Sequence, residues 1–453
     1  MTKSLPIPVA RAVSAQRAQT SANPSMALNH AVALDKLLAT MNWHSPVTYS
    51  SSAIAVPGEQ LCHVVEPLVD VSSDAIGRAH AEVMLGASHR GISEAFQFAQ
   101  GAEVRALNLL YANQSCRIET LWLHFLNKYL AYFAPASDLR AYALALAPSG
   151  RSRFHRLQPT CTPSRREAAG PLISVLMPVF NAAETLRTAV ASILAQTWWN
   201  LELLLIDDCS ADASLNIAQE LASQDQRIRV VPLSENGGPY IAKNIGLRLA
   251  RGDYVTVHDA DDWAFPTRLA DQIAPLLSDV SGTLKVSMGK TLRLDASGQF
   301  TRLQAPNWVT EDGAFRWCFP SPLFERQFFL DRLGAWDSVI IGADTEIIQR
   351  IRRFAPETLK ILDVPVMLQL DVEGSLTRAD ATHNDDRGES PMRAAYRQSW
   401  RRWHDCHAEL PKLDFPLYRR PFMVPDGIQK HIRSSHAVSC RHPSDNVSAR
   451  ATQ

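Results

Sequence analysis

The sequence predicts an α/β fold, a mostly parallel sheet flanked by helices and preceded by an all-helical accessory region. Three observations predict it. After Pro171 short apolar runs alternate with helical periods, whereas from about Ser73 to Ala134 only helical periods occur, and polar residues stand at the ends of the apolar runs.

The elements follow in chain order. Residues 1–50 mix Ser, Ala, Pro and Thr without a sustained period and are expected to be poorly ordered. In residues 51–150, "AIGRAHAEVMLGASHRGISEAFQFAQ", "VRALNLLYANQ" and "IETLWLHFLNKYLAYF" space apolar residues three and four apart, the pattern of packed helices. Residues 151–170, rich in Arg, Pro, Ser and Thr, read as a linker holding a domain boundary. From 171 to 378 "LISVLMPVF" is a buried strand, "AETLRTAVASILAQ" a helix, "LELLLID" a strand, "ASLNIAQELASQ" a helix and "IRVVPL" a strand. A Gly-rich turn, the helix "YIAKNIGLRLARG" and the strand "DYVTVHD" come next. Alternation at this spacing argues for a parallel sheet covered on both faces, with ligands gathered beyond the carboxyl ends of its strands. Residues 379–432 read as a helical extension and 433–453 as a disordered tail.

Acidic and basic residues balance at 46 each and the pI is about 7.2, so no global field points to nucleic acid. Seven scattered cysteines, an odd number in a long chain, suit reduced thiols and a cytoplasmic setting better than a disulfide framework. The amino terminus lacks the apolar stretch of a secretory signal, and no apolar run approaches the roughly 20 residues that cross a bilayer. Attachment to the inner surface of a membrane stays open.

Chemistry is expected at three strand ends: Asn181 after the first, Asp207 and Asp208 after the second, and Asp259, Asp261 and Asp262 after the fourth. An Asp-x-Asp turn behind an apolar strand can hold a hard cation by its carboxylates beside a diphosphate, which makes Asp259 and Asp261 the metal candidates. Asp near a helix start is also stabilising, so "DADDW" is equally read as a cap; both readings hold if Asp262 caps while the other two ligate.

The ordered set resembles glycosyltransferase family 2, whose fold is GT-A. The resemblance runs through Pro178, Val179, Phe180 and Asn181, then Gln196 and Thr197, then Asp207, Asp208, Cys209 and Ser210. It continues with the turn Asn236, Gly237 and Gly238, with Lys243 and Asn244 on the next helix, and closes at Asp259, Asp261 and Asp262. Any one of these matches is weak, and their order is what specifies the family.

The resemblance implies an inverting, metal-dependent sugar transfer from a nucleotide-sugar donor, UDP-sugar favoured, to a hydroxyl of a glycan or other acceptor. Bacterial polysaccharide or glycan biosynthesis is the implied setting, with Mn2+ or Mg2+ as the ion. Asp207 and Asp208 would accept hydrogen bonds from the nucleoside, Pro178 to Phe180 would line the base pocket, and Asn181 and Asn244 would belong to the same donor site. Gly237 and Gly238 would let the backbone approach the nucleotide, and Lys243 would face a phosphate or else lie on a solvated helix face. An inverting transfer also needs a base for the acceptor proton. In "WDSVIIGADTEIIQRI" Ala343 stands where the family often has Glu, so the assignment falls on Asp344, with Glu346 in reserve for acceptor binding or catalysis; a helix start would equally explain Asp344. Phe180 replaces the usual Tyr, and Cys209 stands where Gly is usual, which places a left-handed turn in doubt. Trp336 suits either a sugar platform or the core. A sugar nucleotidyltransferase and a catalytically silent nucleotide-binding scaffold are the alternatives; the first lacks its Gly-rich basic loop after the first strand, and the acidic set argues against the second.

Overall fold

The computed structural model describes residues 116–135, 141–160, 170–301, 314–372, 375–385 and 388–430, with 108, 109, 112 and 113. Both chain ends expected to be poorly ordered, and most of the helical region, lie outside these residues. Helix α1 (Glu119–Leu130) is followed by strand β1 (Leu144–Leu146), a 3-10 turn (Phe154–Arg156) and strand β2 (Leu157–Pro159), which pairs antiparallel with β1. The stretch read as linker thus begins with a turn and a strand.

The apolar runs fold as strands β3 (Ile173–Val179), β4 (Leu201–Asp207), β5 (Ile228–Pro232) and β6 (Tyr254–Val257). Helices α2 (Leu186–Leu194), α3 (Ser214–Gln224) and α4 (Pro239–Leu249) connect them. Strand pairing runs β5-β4-β3-β6, all parallel, so their carboxyl ends open on one edge. These strands are buried on both faces, the reason their sequences are continuous apolar runs rather than alternating ones. Leu176, Leu204 and Ile206 point to α4, while Val175, Met177 and Leu203 pack with residues of α2.

Beyond β6 the sheet changes character. Strands β7 (Asp262–Ala264), β8 (Val286–Leu294), β11 (Leu323–Glu325) and β12 (Leu359–Leu370) extend it in the order β6-β11-β8-β12-β7, with β8 and β12 parallel and the other pairs antiparallel. The short strands β9 (Phe300–Thr301) and β10 (Arg316–Trp317) add to β8. The parallel expectation therefore describes the first half; the second is mixed. Helix α5 (Arg268–Ser278) covers this half, and the short α6 (Arg326–Phe328) leads through a π turn (Phe329–Leu333) toward α7 (Ala343–Phe354). The hairpin β13 (Asn384–Asp385) and β14 (Gly388–Glu389) precedes α8 (Pro391–Asp405).

The region before residue 160 is not separate from the sheet. Trp122, Phe125, Tyr129 and Phe154 share one buried cluster with Trp263, Phe265, Leu292 and Leu368. Asn113 fastens it further, donating to the Phe300 carbonyl and accepting from the Phe300 N–H. Likewise α8 packs Tyr396 and Trp400 against Ile347 and Ile351 of α7, so the carboxyl-terminal extension supports the helix that carries Asp344. Its basic residues Arg401 and Arg402 stay exposed while its Trp side chains face inward.

Candidate active site

The donor end is built on the β4 tip. Asn181 and Cys209 both take left-handed backbone conformations, φ 49° and 60°, so Cys209 adopts the turn for which Gly is usual. Asn181 Oδ1 accepts from the Ala211 N–H, its own N–H donates to Ser210 Oγ, and the two loops after β3 and β4 are thereby locked together. Phe180 projects from this edge with 52% of its surface exposed. Pro178 and Val179 lie beside Ile206 and Asp207 in register.

The two adjacent aspartates have different fates. Asp208 accepts from the Gly237 and Gly238 N–H groups, both at 2.7 Å, and from Asn236 Nδ2 at 3.0 Å. Its carboxylate is occupied by the Gly-rich turn, which corrects the expectation that it meets the nucleoside. Burial holds its pKa above the usual value, against those N–H donors and the nearby Lys430. Asp207 is 2% exposed; one oxygen accepts from the Ser210 N–H, and Oδ1 has no hydrogen-bond partner among the described residues. A buried acceptor left alone is costly unless a donor arrives.

Gly238, at φ 83°, ends the turn, and Pro239 starts α4 with its φ already helical. Lys243 lies one turn into this helix. It is buried, not solvated: its Nζ sits 3.2 Å from Asp259 Oδ1 and 4.9 Å from the centre of the Tyr240 ring. Asn244 is spent on the fold, its amide donating to the Trp336 carbonyl and accepting from the Trp336 N–H at 2.8 and 3.0 Å. Trp336 in turn packs on Phe329 and is 4% exposed, so it is a core residue and no sugar platform.

Asp259 and Asp261 lie at the carboxyl end of β6. Asp262 does not cap a helix. It opens β7, where its carboxylate accepts from the Leu370 N–H, and α5 starts only at Arg268. Behind the turn is a buried pair with no signal in the linear pattern. Arg268 donates to His258 Nδ1, Thr256 Oγ1 and the Val257 carbonyl, which leaves the His258 proton on Nε2 to hold the Asp262 carbonyl. Burial and this guanidinium push His258 far below its ordinary pKa, so the ring stays neutral; burial also lowers Arg268 to about 10.

Burial first, then the charge of Asp259, raises Asp261 to about 6. Two carboxylates whose charges oppose each other, and which a cation would relieve, suit a small hard cation held by one or two carboxylates plus phosphates. Among the described residues no three Asp, Glu, His or Cys side chains form a complete ligand set. The raised pKa has a stability consequence. A carboxyl whose folded pKa exceeds its unfolded value of about 3.9 contributes most stability below pH 4 and loses that contribution as the pH rises through 6. Asp261→Asn is accordingly expected to raise the melting temperature by about 2–4 °C at pH 7.5 in a chelator, and by nothing below pH 4. Scanning calorimetry at both pH values checks this.

Asp344 lies in the first turn of α7. Gly342, left-handed at φ 79°, turns the chain into the helix, and Asp344 Oδ1 accepts from the Thr345 N–H at 2.7 Å. Burial first, then the charge of the half-buried Asp344 and, less, that of Asp259, raises the Tyr240 phenol above its ordinary pKa. Arg393 of α8 brings a cation near Asp344 and Tyr240; burial lowers its pKa. Glu346 is not part of this group. It is fully buried, with Oε1 2.8 Å from His404 Nε2 and 3.1 Å from Arg350 Nε, so it cannot meet an acceptor. Spacing along α7 explains the correction: positions two apart on a helix face different sides.

Polar groups gather where parallel strands end, on a sheet that turns mixed beyond the acidic turn, the α/β arrangement expected of the GT-A fold. Residues 174–299 match the family model described as Glycosyl transferase family 2. The chain is 41% identical over 109 residues to an uncharacterized glycosyltransferase of Haemophilus influenzae, covering 24% of this chain and 44% of that protein. It is 31% identical over 189 residues to the succinoglycan biosynthesis protein ExoO of Rhizobium meliloti, covering 38% and 53%. Among solved structures it is similar to S. aureus TarS 1-349 in complex with UDP, at 20% identity and a TM-score of 0.36, over 44% of this chain and 60% of that one. The chain spans about half the length of the curated relatives it matches. The segment 174–299 is a glycosyl transferase family 2 segment by this match, and the relatives that align with it are glycosyltransferases and a polysaccharide biosynthesis protein.

Proposed function

We propose that this chain transfers a sugar from a nucleoside diphosphate-sugar, a UDP-sugar foremost, to a hydroxyl of a glycan acceptor, with inversion at the anomeric carbon. The observation that carries the reading is that Asp259 stands just beyond the carboxyl end of β6 with Lys243 Nζ 3.2 Å from its Oδ1, and the reading pairs it with Asp344 in the first turn of α7. One carboxylate serves the leaving side and the other the attacking side. Asp207 Oδ1, buried and unpartnered, suits an imide N–H such as that of uracil, and Phe180 offers an exposed ring on which a base can stack.

Asp259 and Asp261 would hold Mn2+ or Mg2+, which when bound supplies positive charge for the departing diphosphate. Lys243 offsets the charge of Asp259 and is placed to share phosphate oxygens. Asp344 takes the acceptor proton as the hydroxyl oxygen attacks the anomeric carbon, and no covalent sugar-enzyme intermediate forms. Family relatives named for polysaccharide assembly support a role in bacterial surface glycan synthesis. Unpaired thiols at Cys116, Cys209, Cys318 and Cys406 support a reducing, cytoplasmic setting. Among the described residues no helix is long and apolar enough to cross a membrane.

A panel of UDP-, GDP- and dTDP-hexoses assayed for nucleoside diphosphate release tests the reading. At least one donor is expected to turn over with Mn2+ or Mg2+, with activity lost in EDTA and restored by added metal. No release from any donor in Mn2+ would refute it.

A further inference from the structure

Behind the acidic turn lies a buried polar chain that the proposed reaction leaves without a task. Arg268, His258, Thr256 and Gln272 are all fully buried. The Arg268 guanidinium forms no ion pair among the described residues; it donates to neutral acceptors, His258 Nδ1 at 3.0 Å, Thr256 Oγ1 and the Val257 carbonyl at 2.8 Å, and Gln272 Oε1 at 3.1 Å. A cation taken out of water without an anion is costly to a fold, so packing alone does not account for it. Its placement does. A guanidinium can only donate, so His258 Nδ1 accepts and the imidazole proton lies on Nε2. That nitrogen meets the Asp262 carbonyl at 3.2 Å, with the Ser192 hydroxyl 3.4 Å away. The ring thereby joins the two ends of the turn, and Asp259 and Asp261 lie between them. A main-chain bond from the Asp262 N–H to the Asp259 carbonyl at 3.2 Å closes the same span. The His258 N–H donates to the Leu176 carbonyl of β3 at 2.9 Å, which fastens this clip to the parallel strands. Both ring nitrogens are occupied inside the fold, so His258 is not itself a ligand for an ion.

We propose that His258, set in one tautomer by Arg268, is a positioning residue that holds the Asp259 to Asp261 turn in the shape that receives a divalent cation. The inference deepens the proposed reaction and rests on those two carboxylates holding Mn2+ or Mg2+. Carboxylates one residue apart repel each other, and a turn free to splay would have to be ordered afresh whenever the ion and the diphosphate arrive. The clip fixes that shape in advance. His258 touches no substrate and exchanges no proton with one.

The test uses the full chain with Mn2+ and UDP as probes, free Mn2+ being followed by electron paramagnetic resonance and UDP binding in EDTA by calorimetry. His258→Asn puts an amide oxygen near the Nδ1 position, where Arg268 can still donate, but does not reach the Asp262 carbonyl. His258→Gln carries an amide N–H out to the Nε2 position. Both remove the ring, so both should lower the melting temperature alike. His258→Asn is expected to weaken Mn2+ binding in the presence of UDP about 10- to 100-fold, the scale of losing a partner that orients a metal ligand. His258→Gln should stay within about threefold of native, and UDP binding in EDTA should change by less than about twofold in either, because those contacts lie elsewhere. Native Mn2+ affinity in His258→Asn, or equal losses in the two variants, would overturn the proposal and leave the donor site standing. Should His258→Asn not fold, Arg268→Gln takes its place: its amide can offer His258 Nδ1 either a donor or an acceptor, which frees the tautomer. The same loss of Mn2+ affinity is then expected, and native affinity would overturn the proposal. A native chain that binds UDP but no Mn2+ would end the metal reading and this inference together.

Discussion

Asp344→Asn is expected to lower kcat by about 10² to 10⁴ while leaving the UDP Kd and the melting temperature close to native, the scale of removing one positioned base. The amide is nearly isosteric and keeps an acceptor for the Thr345 N–H, so the α7 start should persist. The missing function is proton acceptance alone. The Gly-rich turn latched by Asp208, the buried Asp207 and the Asp259–Lys243 pair are all remote in sequence and keep their own partners. A loss confined to kcat in steady-state assays would match the assigned role. A variant that turns over at the native rate would leave the domain with an acidic turn and no identified base.

Glu346→Ala, two residues further on, is expected to act in the opposite way. Removing this carboxylate leaves Arg350 in the core without its anion; among the described residues Arg350 otherwise donates to the carbonyls of Leu333, Ala335 and Pro411. Breaking a buried ion pair from one side costs about 3–5 kcal/mol, and for a domain of this size about 10 °C in melting temperature. His404 loses its partner as well, and with it one tie between α7 and α8. Thermal melts beside UDP binding separate the outcomes. A large drop in stability with native affinity in the folded protein supports a packing role, whereas an unchanged melting temperature with lost turnover would return Glu346 to the chemistry.

The contrast between these neighbours shows what the sequence made legible. Strands β3, β4 and β6 were readable because burial on both faces leaves uninterrupted apolar runs, and the polar residues that end those runs marked the ligand edge. Residue roles were harder to read. Asp208, Asn244 and Glu346 occupy positions where motif order suggests ligand contact, yet each is consumed by a main-chain or ionic partner far away in sequence, and no local pattern reports such a partner. Tyr240, His258, Arg268 and Arg393 escaped notice for the converse reason: their surroundings exist only once β6, α4, α7 and α8 have met. The mixed half of the sheet was hidden too, since β9, β10 and β11 are two or three residues long and carry too few positions to show a period.

The shared core described for α1 and the far strands sets where the molecule can be cut. The segment matching the family stops at 299, yet β6 is hydrogen-bonded to β11 and β8 to β12, both encoded later, while Trp263, Phe265 and Leu292 are roofed by side chains encoded before 160. A polypeptide trimmed to the homologous stretch would carry a bare strand margin and an uncovered aromatic face, features that invite self-association. Ancestry and packing therefore have different borders in this protein, and the shared buried clusters reach from α1 to α8.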